Sequence, residues 1–359
     1  MMKYKFDFED ILIQPDILTE IGSRYVDVNP FTNRFYPLMT APMDTVVDLS
    51  NYEAFLKNKI NVVLPRTVKY SELESLWGNS FRNGVFFSLS LKEFEEMYVV
   101  NAIENPPVGN HILIDIANGH MESILTLATK AKRINPRLTI MAGNIANPQT
   151  YRKYCESSAI DYVRVGIGNG SGCLTSEQTG IGYPMASLIY ECNIIKQEVI
   201  QANKSAGREI KKPVKIIADG GMKKYADIIK ALALGADYVM AGGIFNKTLE
   251  SCSTTYWNGI KVPKNWERFL YKNNFNLYKK FRGMSTKEVQ KILGATKVRT
   301  SEGVNRINKV EYTLPKWIEN FDHYLRSDMS YTNKKTLNDF IGHVDFNLIT
   351  ENARKRFLK

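Results

Sequence analysis

The sequence predicts an α/β fold, a closed (β/α)8 barrel of the TIM type. Three observations lead there: eight short apolar runs, helix-like stretches between them, and glycine pairs placed directly after the last runs. The runs lie at 38–41, 60–64, 85–89, 112–116, 138–142, 162–165, 214–218 and 238–241. Most lack polar alternation, as parallel strands buried on both faces do. Amphipathic segments at 121–133, 148–156, 184–201 and 225–234 separate them, and repeated strand–helix units imply a parallel sheet. Eight units between about residue 35 and residue 250 match the size of a barrel. An open doubly wound sheet is the alternative.

Polar features fall at the ends of these strands. Asp115 ends the fourth and Asn144 closely follows the fifth. After the sixth comes Gly166-Ile167-Gly168-Asn169-Gly170-Ser171-Gly172-Cys173-Leu174-Thr175, then a second glycine turn, Gly180-Ile181-Gly182. Glycines let backbone amides and carbonyls turn toward a ligand or ion, and a thiol in such a loop can be presented as a nucleophile. Asp219-Gly220-Gly221 follows the seventh strand and Gly242-Gly243 the eighth. Barrels often bind phosphate with these two loops. Residues 246–280 are aromatic and lysine-rich, with Trp257 and Trp266, and read as an excursion after the eighth strand. The tail from 332 to 359 is charged and reads as helical. The whole chain, 1–359, is expected to be one catalytic domain, with 251–359 forming flap and C-terminal segments.

Composition narrows the partners. The 359 residues carry a net charge of +11, and 44% are hydrophobic. The basic residues are dispersed and the clusters are short, as at Lys211-Lys212, Lys223-Lys224 and Lys279-Lys280. No stripe of cations interleaved with aromatics is present, so a solvated basic surface is expected, with steering of a phosphorylated small molecule as the alternative, rather than nucleic-acid binding. No apolar run reaches the roughly 18 residues of a membrane span, and the start lacks the apolar core of a signal peptide. Cys155, Cys173, Cys192 and Cys252 have no zinc-like spacing. Reduced thiols and a cytoplasmic setting are therefore expected.

Taken in order, the motifs resemble the IMP dehydrogenase/GMP reductase family. They are Phe8-Glu9-Asp10-Ile11-Leu12, Ala41-Pro42-Met43-Asp44-Thr45-Val46, Asp115-Ile116-Ala117-Asn118-Gly119, Met141-Ala142-Gly143-Asn144, the cysteine loop, Asp219-Gly220-Gly221, Gly242-Gly243, Gly283-Met284-Ser285 and Arg299-Thr300-Ser301-Glu302-Gly303. Within the family the spelling looks most like GMP reductase. The interval from Ser285 to Glu302 is short and lacks the Arg-Tyr pair with which a dehydrogenase flap activates water. Residues 46–57 leave no room for the tandem CBS module that most dehydrogenases insert. Four places depart from the usual spelling: Pro42, Asn169 where the family usually has proline, Leu174 and Ser176 on either side of Thr175, and Pro65-Arg66 in place of a histidine-lysine pair.

The resemblance implies NADPH-dependent conversion of GMP to IMP and ammonia through a purine linked to Cys173. Oxidation of IMP by NAD, action on a deoxy or modified guanine nucleotide, and a non-catalytic nucleotide-binding role are the alternatives. It implies Cys173 as nucleophile, with Thr175 and Glu302 handling protons. Substrate contacts would come from Met43, Ser171, Asp219, Gly220, Gly221, Gly242, Gly243, Gly283, Met284, Ser285, Arg299, Ser301 and Gly303. NADPH would meet Ser23, Arg24, Arg66, Asp115, Ile116, Ala117 and Gly168, with Arg66 acting across a subunit contact of a homotetramer. Carbonyls of Gly168, Gly170 and Cys173 would hold potassium.

Overall fold

A computed structural model describes residues 4–77, 83–104, 107, 109–205, 213–295, 297 and 303–357. Eight parallel strands form its centre: β1 (Leu38–Thr40), β2 (Val62–Leu64), β3 (Val85–Leu89), β4 (His111–Asp115), β5 (Thr139–Ile145), β6 (Tyr162–Val165), β7 (Lys215–Asp219) and β8 (Tyr238–Ala241). They pair in chain order, and β8 pairs with β1 through Leu38–Val239, Met39–Met240 and Thr40–Ala241. A parallel bridge between Met39 and Asn61 joins β1 to β2 and completes the ring. The closed barrel, not the open sheet, is the architecture.

Helices follow the strands: α1 (Tyr52–Lys57), α2 (Tyr70–Trp77), α3 (Leu91–Glu95), α4 (Glu122–Ile134), α5 (Pro148–Ser157), α6 (Met185–Ser205), α7 (Tyr225–Ala233) and α8 (Leu314–Tyr331). In α4 the buried Ile124, Leu127, Ala128 and Ala131 recur at helical spacing, so one stripe faces the strands. Alternate strand residues point inward and outward. Inward ones such as Val63, Phe86, Leu113, Met141, Ile217 and Met240 fill the barrel lumen, and outward ones pack beneath the helices. Among the described residues, no helix is long and apolar enough to cross a membrane.

The excursion between β8 and α8 forms a four-stranded antiparallel sheet in the order β10-β9-β11-β12. Its strands are β9 (Thr255–Trp257), β10 (Ile260–Val262), β11 (Tyr278–Arg282) and β12 (Asn305–Lys309). The tail corrects the expectation of a helix. It holds short helices at Leu337–Phe340 and Glu351–Phe357, but Phe346–Leu348 pairs antiparallel with Ile11–Ile13. The Phe346 ring explains this, because it packs against Phe6 and Tyr190 at 5.7 and 5.4 Å between centroids. That tertiary anchoring outweighs the local charge pattern.

Candidate active site

The cysteine loop leaves the C-terminal end of β6. Gly166 (φ +126°) and Gly168 (φ +82°) adopt backbone conformations that strain other residues. Gly168 has no room either, since a Cβ there would fall 1.6 Å from the Ser176 hydroxyl oxygen. The Asn169 amide donates to the Tyr183 carbonyl at 3.0 Å and ties the loop to the second glycine turn. Asn at this departure thus supplies a cross-link in place of a rigid ring. The Cys173 N–H donates to the Gly170 carbonyl at 2.9 Å. Its thiol donates to the Thr175 hydroxyl oxygen at 3.1 Å.

Two further segments brace this loop from the excursion. The Gly172 carbonyl accepts from the Val304 N–H at 3.0 Å, and the Val304 carbonyl accepts from the Gly283 N–H at 3.0 Å. Cys173 and Gly303 form an antiparallel bridge. A Cβ on Gly283 would stand 2.5 Å from the Gly172 carbonyl oxygen, and one on Gly303 would stand 2.9 Å from the Thr286 methyl. Both glycines permit close backbone approach. Arg282, beside Gly283, pairs with Asp44 and so ties this loop to the one after β1.

Arg164 crosses the strand ends from the middle of β6. Its Nη1 donates to Asp115 at 2.6 Å, while Nε and Nη2 donate to Asp219 Oδ2 at 3.2 and 2.7 Å. Asn144 Nδ2 donates to the same oxygen at 2.8 Å. Burial opposes the charge on Arg164, but Asp219 and Asp115 outweigh it and hold the guanidinium more firmly protonated than usual. Both carboxylates are thereby oriented, and no hydrogen bond engages Asp219 Oδ1 among the described residues.

These groups meet at a cavity of about 550 Å³ at the C-terminal end of the barrel, within the size range of small-ligand sites. Met43, Asp115, Gly170, Ser171, Cys173, Asp219, Gly220, Gly221, Gly242, Gly243, Gly283, Met284 and Ser285 line it. Thr175 lies behind Cys173, and Gly303 behind the loop. Ile116 and Ala117 follow β4 outside the lining, and Gly168 lies within the cysteine turn. Arg66 stands on the loop after β2, 3.8 Å from Glu93, and does not line the cavity. Ser23 and Arg24 are not brought to the cavity within one chain: Arg24 donates to Ser327, near the end of α8 remote from the strand tips, at 3.1 Å. Arg299, Ser301 and Glu302 lie outside the described residues.

Several lining residues escaped the sequence reading: Arg164, Lys223, Lys247, Phe281, Arg306 and Asn308. A charge inside the apolar run Tyr-Val-Arg-Val could have flagged Arg164, because unpaired charges are rarely buried. Nothing local marks Arg306, whose place depends on the pairing of β11 with β12. Burial pushes the thiols of Cys155, Cys192 and Cys252 upward, which disfavours thiolate chemistry there. No group of three His, Cys, Asp or Glu suited to a metal ion occurs among the described residues.

A family model described as the IMP dehydrogenase / GMP reductase domain matches residues 97–356. The chain is 26% identical to the GMP reductase of Caenorhabditis elegans, covering 99% of this chain and 94% of the relative. It is 27% identical to the GMP reductase of Onchocerca volvulus, covering 98% and 93%. It is 28% identical to the GMP reductase of Shigella boydii, covering 98% and 97%.

Proposed function

This chain belongs to the IMP dehydrogenase/GMP reductase family, and on that premise we propose that it is an oxidoreductase that converts GMP to IMP and ammonia with NADPH. One observation carries the reading. The Cys173 thiol, bonded to the Thr175 hydroxyl, sits in the wall of a cavity that also holds Asp219 and the glycine pairs after β7 and β8.

The purine would lie with C2 over Cys173 and its ribose toward Asp219, whose Oδ1 can accept from a sugar hydroxyl. Amides of Gly220, Gly221, Gly242 and Gly243 would meet the phosphate, and Met43, Met284 and Ser285 the base. Cys173 sulfur bonds to C2 while its proton passes by way of Thr175 to the exocyclic amine. The C2–N bond breaks and ammonia leaves. Glu302 is proposed as the carboxylate that completes this relay. When bound, a reduced nicotinamide supplies the hydride that C2 needs for the Cys173 thiolate to depart.

The cofactor would lie at the mouth of the cavity beside β4. Ala117 is exposed there, Ile116 is half-buried, and Asp115 is held in place by Arg164. Ser23 and Arg24 would reach it only from a neighbouring copy, which a homotetramer would provide, and Arg66 is proposed to act across the same contact. The carbonyls of Gly168, Gly170 and Cys173 lie in one turn and offer the neutral oxygens that a potassium ion prefers. A cytoplasmic setting suits four free thiols.

The test follows hydrogen. With NADPH deuterated at the transferred position and GMP, the product should be IMP carrying deuterium at C2. NADPH consumption without label at C2 would refute the proposed step. Reduction of NAD by IMP would instead establish the dehydrogenase reading, for which the Ala41-Pro42-Met43 spelling at the cavity wall speaks.

A further inference from the structure

We propose that Arg306, working with the Ser171 hydroxyl, grips the phosphate of the ligand and so determines that the pocket selects a nucleotide over a nucleoside. This deepens the reading above and rests on its view that the ligand is phosphorylated.

Arg306 projects from β12 over the phosphate end of the cavity. Its guanidinium lies 4.7 Å from the centre of the Phe281 ring. Nη2 donates to Ser171 Oγ at 2.9 Å, and Nη1 donates to the Ser171 carbonyl at 3.3 Å. Nη2 also lies 3.5 Å from the point where a side chain on Gly243 would begin. The cation therefore faces the glycine pair after β8. Its Nε is buried with no hydrogen-bond partner among the described residues. Among the described residues no carboxylate pairs with it, and burial lowers its pKa. A partly buried guanidinium bonded only to neutral oxygens favours an anion at its open side.

The neighbours add to this. Ser171 accepts from Arg306 and so keeps its own proton to donate. Lys223 and Lys247 line the same cavity. Lys247 is paired with Glu311 at 2.8 Å, whereas no acidic partner for the Lys223 ammonium is found among the described residues. Arg164 is shared between the carboxylates of Asp219 and Asp115 and offsets one of the two. Cations therefore outnumber carboxylates among the described residues that line the cavity.

Calorimetric binding of GMP, guanosine and inorganic phosphate to the full chain, to R306M and to R306K tests this. In R306M the affinity for GMP should fall by about 10- to 100-fold, the loss expected for a charged hydrogen bond. R306K should fall less, and guanosine should bind all three forms alike. Raising salt should weaken GMP binding more in the parent than in R306M, and inorganic phosphate should compete with GMP only where Arg306 is present. Unchanged GMP affinity in R306M would overturn the assignment. So would an equal loss for guanosine, or a parent protein that binds neither ligand or does not tell the two apart. Turnover is not the readout: GMP binding of this kind without oxidation of NADPH would sink the catalytic reading and leave the role of Arg306 standing.

Discussion

Arg164 is the residue on which two carboxylates depend. Its side chain is 8% exposed, while Asp115 and Asp219 are 18% and 14% exposed. Removing a buried cation strands its partners as uncompensated charges, at a cost of about 3–5 kcal/mol. R164M should therefore lose stability of that order in urea unfolding, with GMP affinity falling as Asp219 turns. A change below about 1 kcal/mol would show that water already supports the carboxylates. The nucleophile and the cation were not equally legible. Cys173 stands in a ten-residue glycine pattern that few structural needs would produce, and Asp219 precedes a glycine pair at a strand end. Arg164 is hidden among strand residues, because a sequence does not show which inward position meets acids at the ends of β4 and β7.

At the scale of elements, the eight barrel strands were readable because burial on both faces leaves a continuous apolar run. The excursion sheet was not. In β11, Tyr278–Arg282, exposure alternates and Lys279 is fully buried. Burial lowers the pKa of its ammonium to about 8, against the pull of Glu267. A sequence containing Lys-Lys reads as surface, yet one of the two lies in the core against Glu267 Oε2 at 3.2 Å. The same sheet carries Gly283 and Gly303 to the cysteine loop. G283A should lower kcat by roughly tenfold or more, because its Cβ must displace the Gly172 carbonyl and a displacement of about 1 Å can cost that much. Gly259 provides the control. It also has positive φ, at +80°, but no atom stands within 4 Å of its Cβ position. G259A should cost only stability, about 1 kcal/mol, with its rate unchanged. Equal rates for both variants, each folded by circular dichroism, would refute the bracing role.

Across the whole molecule, the barrel must be held to its outer helices as well as to its sheet. Asp328 on α8 is half-buried, and loss of solvent raises its carboxyl to about 6, against the pull of Lys230 on α7. The folded pKa lies above the reference value of 3.8, so folding favours the neutral form. Its contribution to stability is full below about pH 4 and is lost as the pH rises through about 6. D328N should thus be more stable than the parent at about pH 7.5, by on the order of 2–3 kcal/mol, and the gap should close near pH 4. A gap that does not vary with pH would contradict this. At this scale the order of strands was legible from repetition alone, whereas the tail was not. Its strand depends on Phe346 finding Phe6 and Tyr190, residues far away in sequence. The central claim concerns Cys173 and reaches all of these levels, because loop, sheet and barrel converge on its thiol. Its most direct test is to mix the chain with GMP and NADPH and count ammonia released against NADPH oxidised, with C173A in parallel. Equal amounts of both, and neither in C173A, are expected; ammonia and oxidised nicotinamide formed by C173A at the parent rate would contradict the claim.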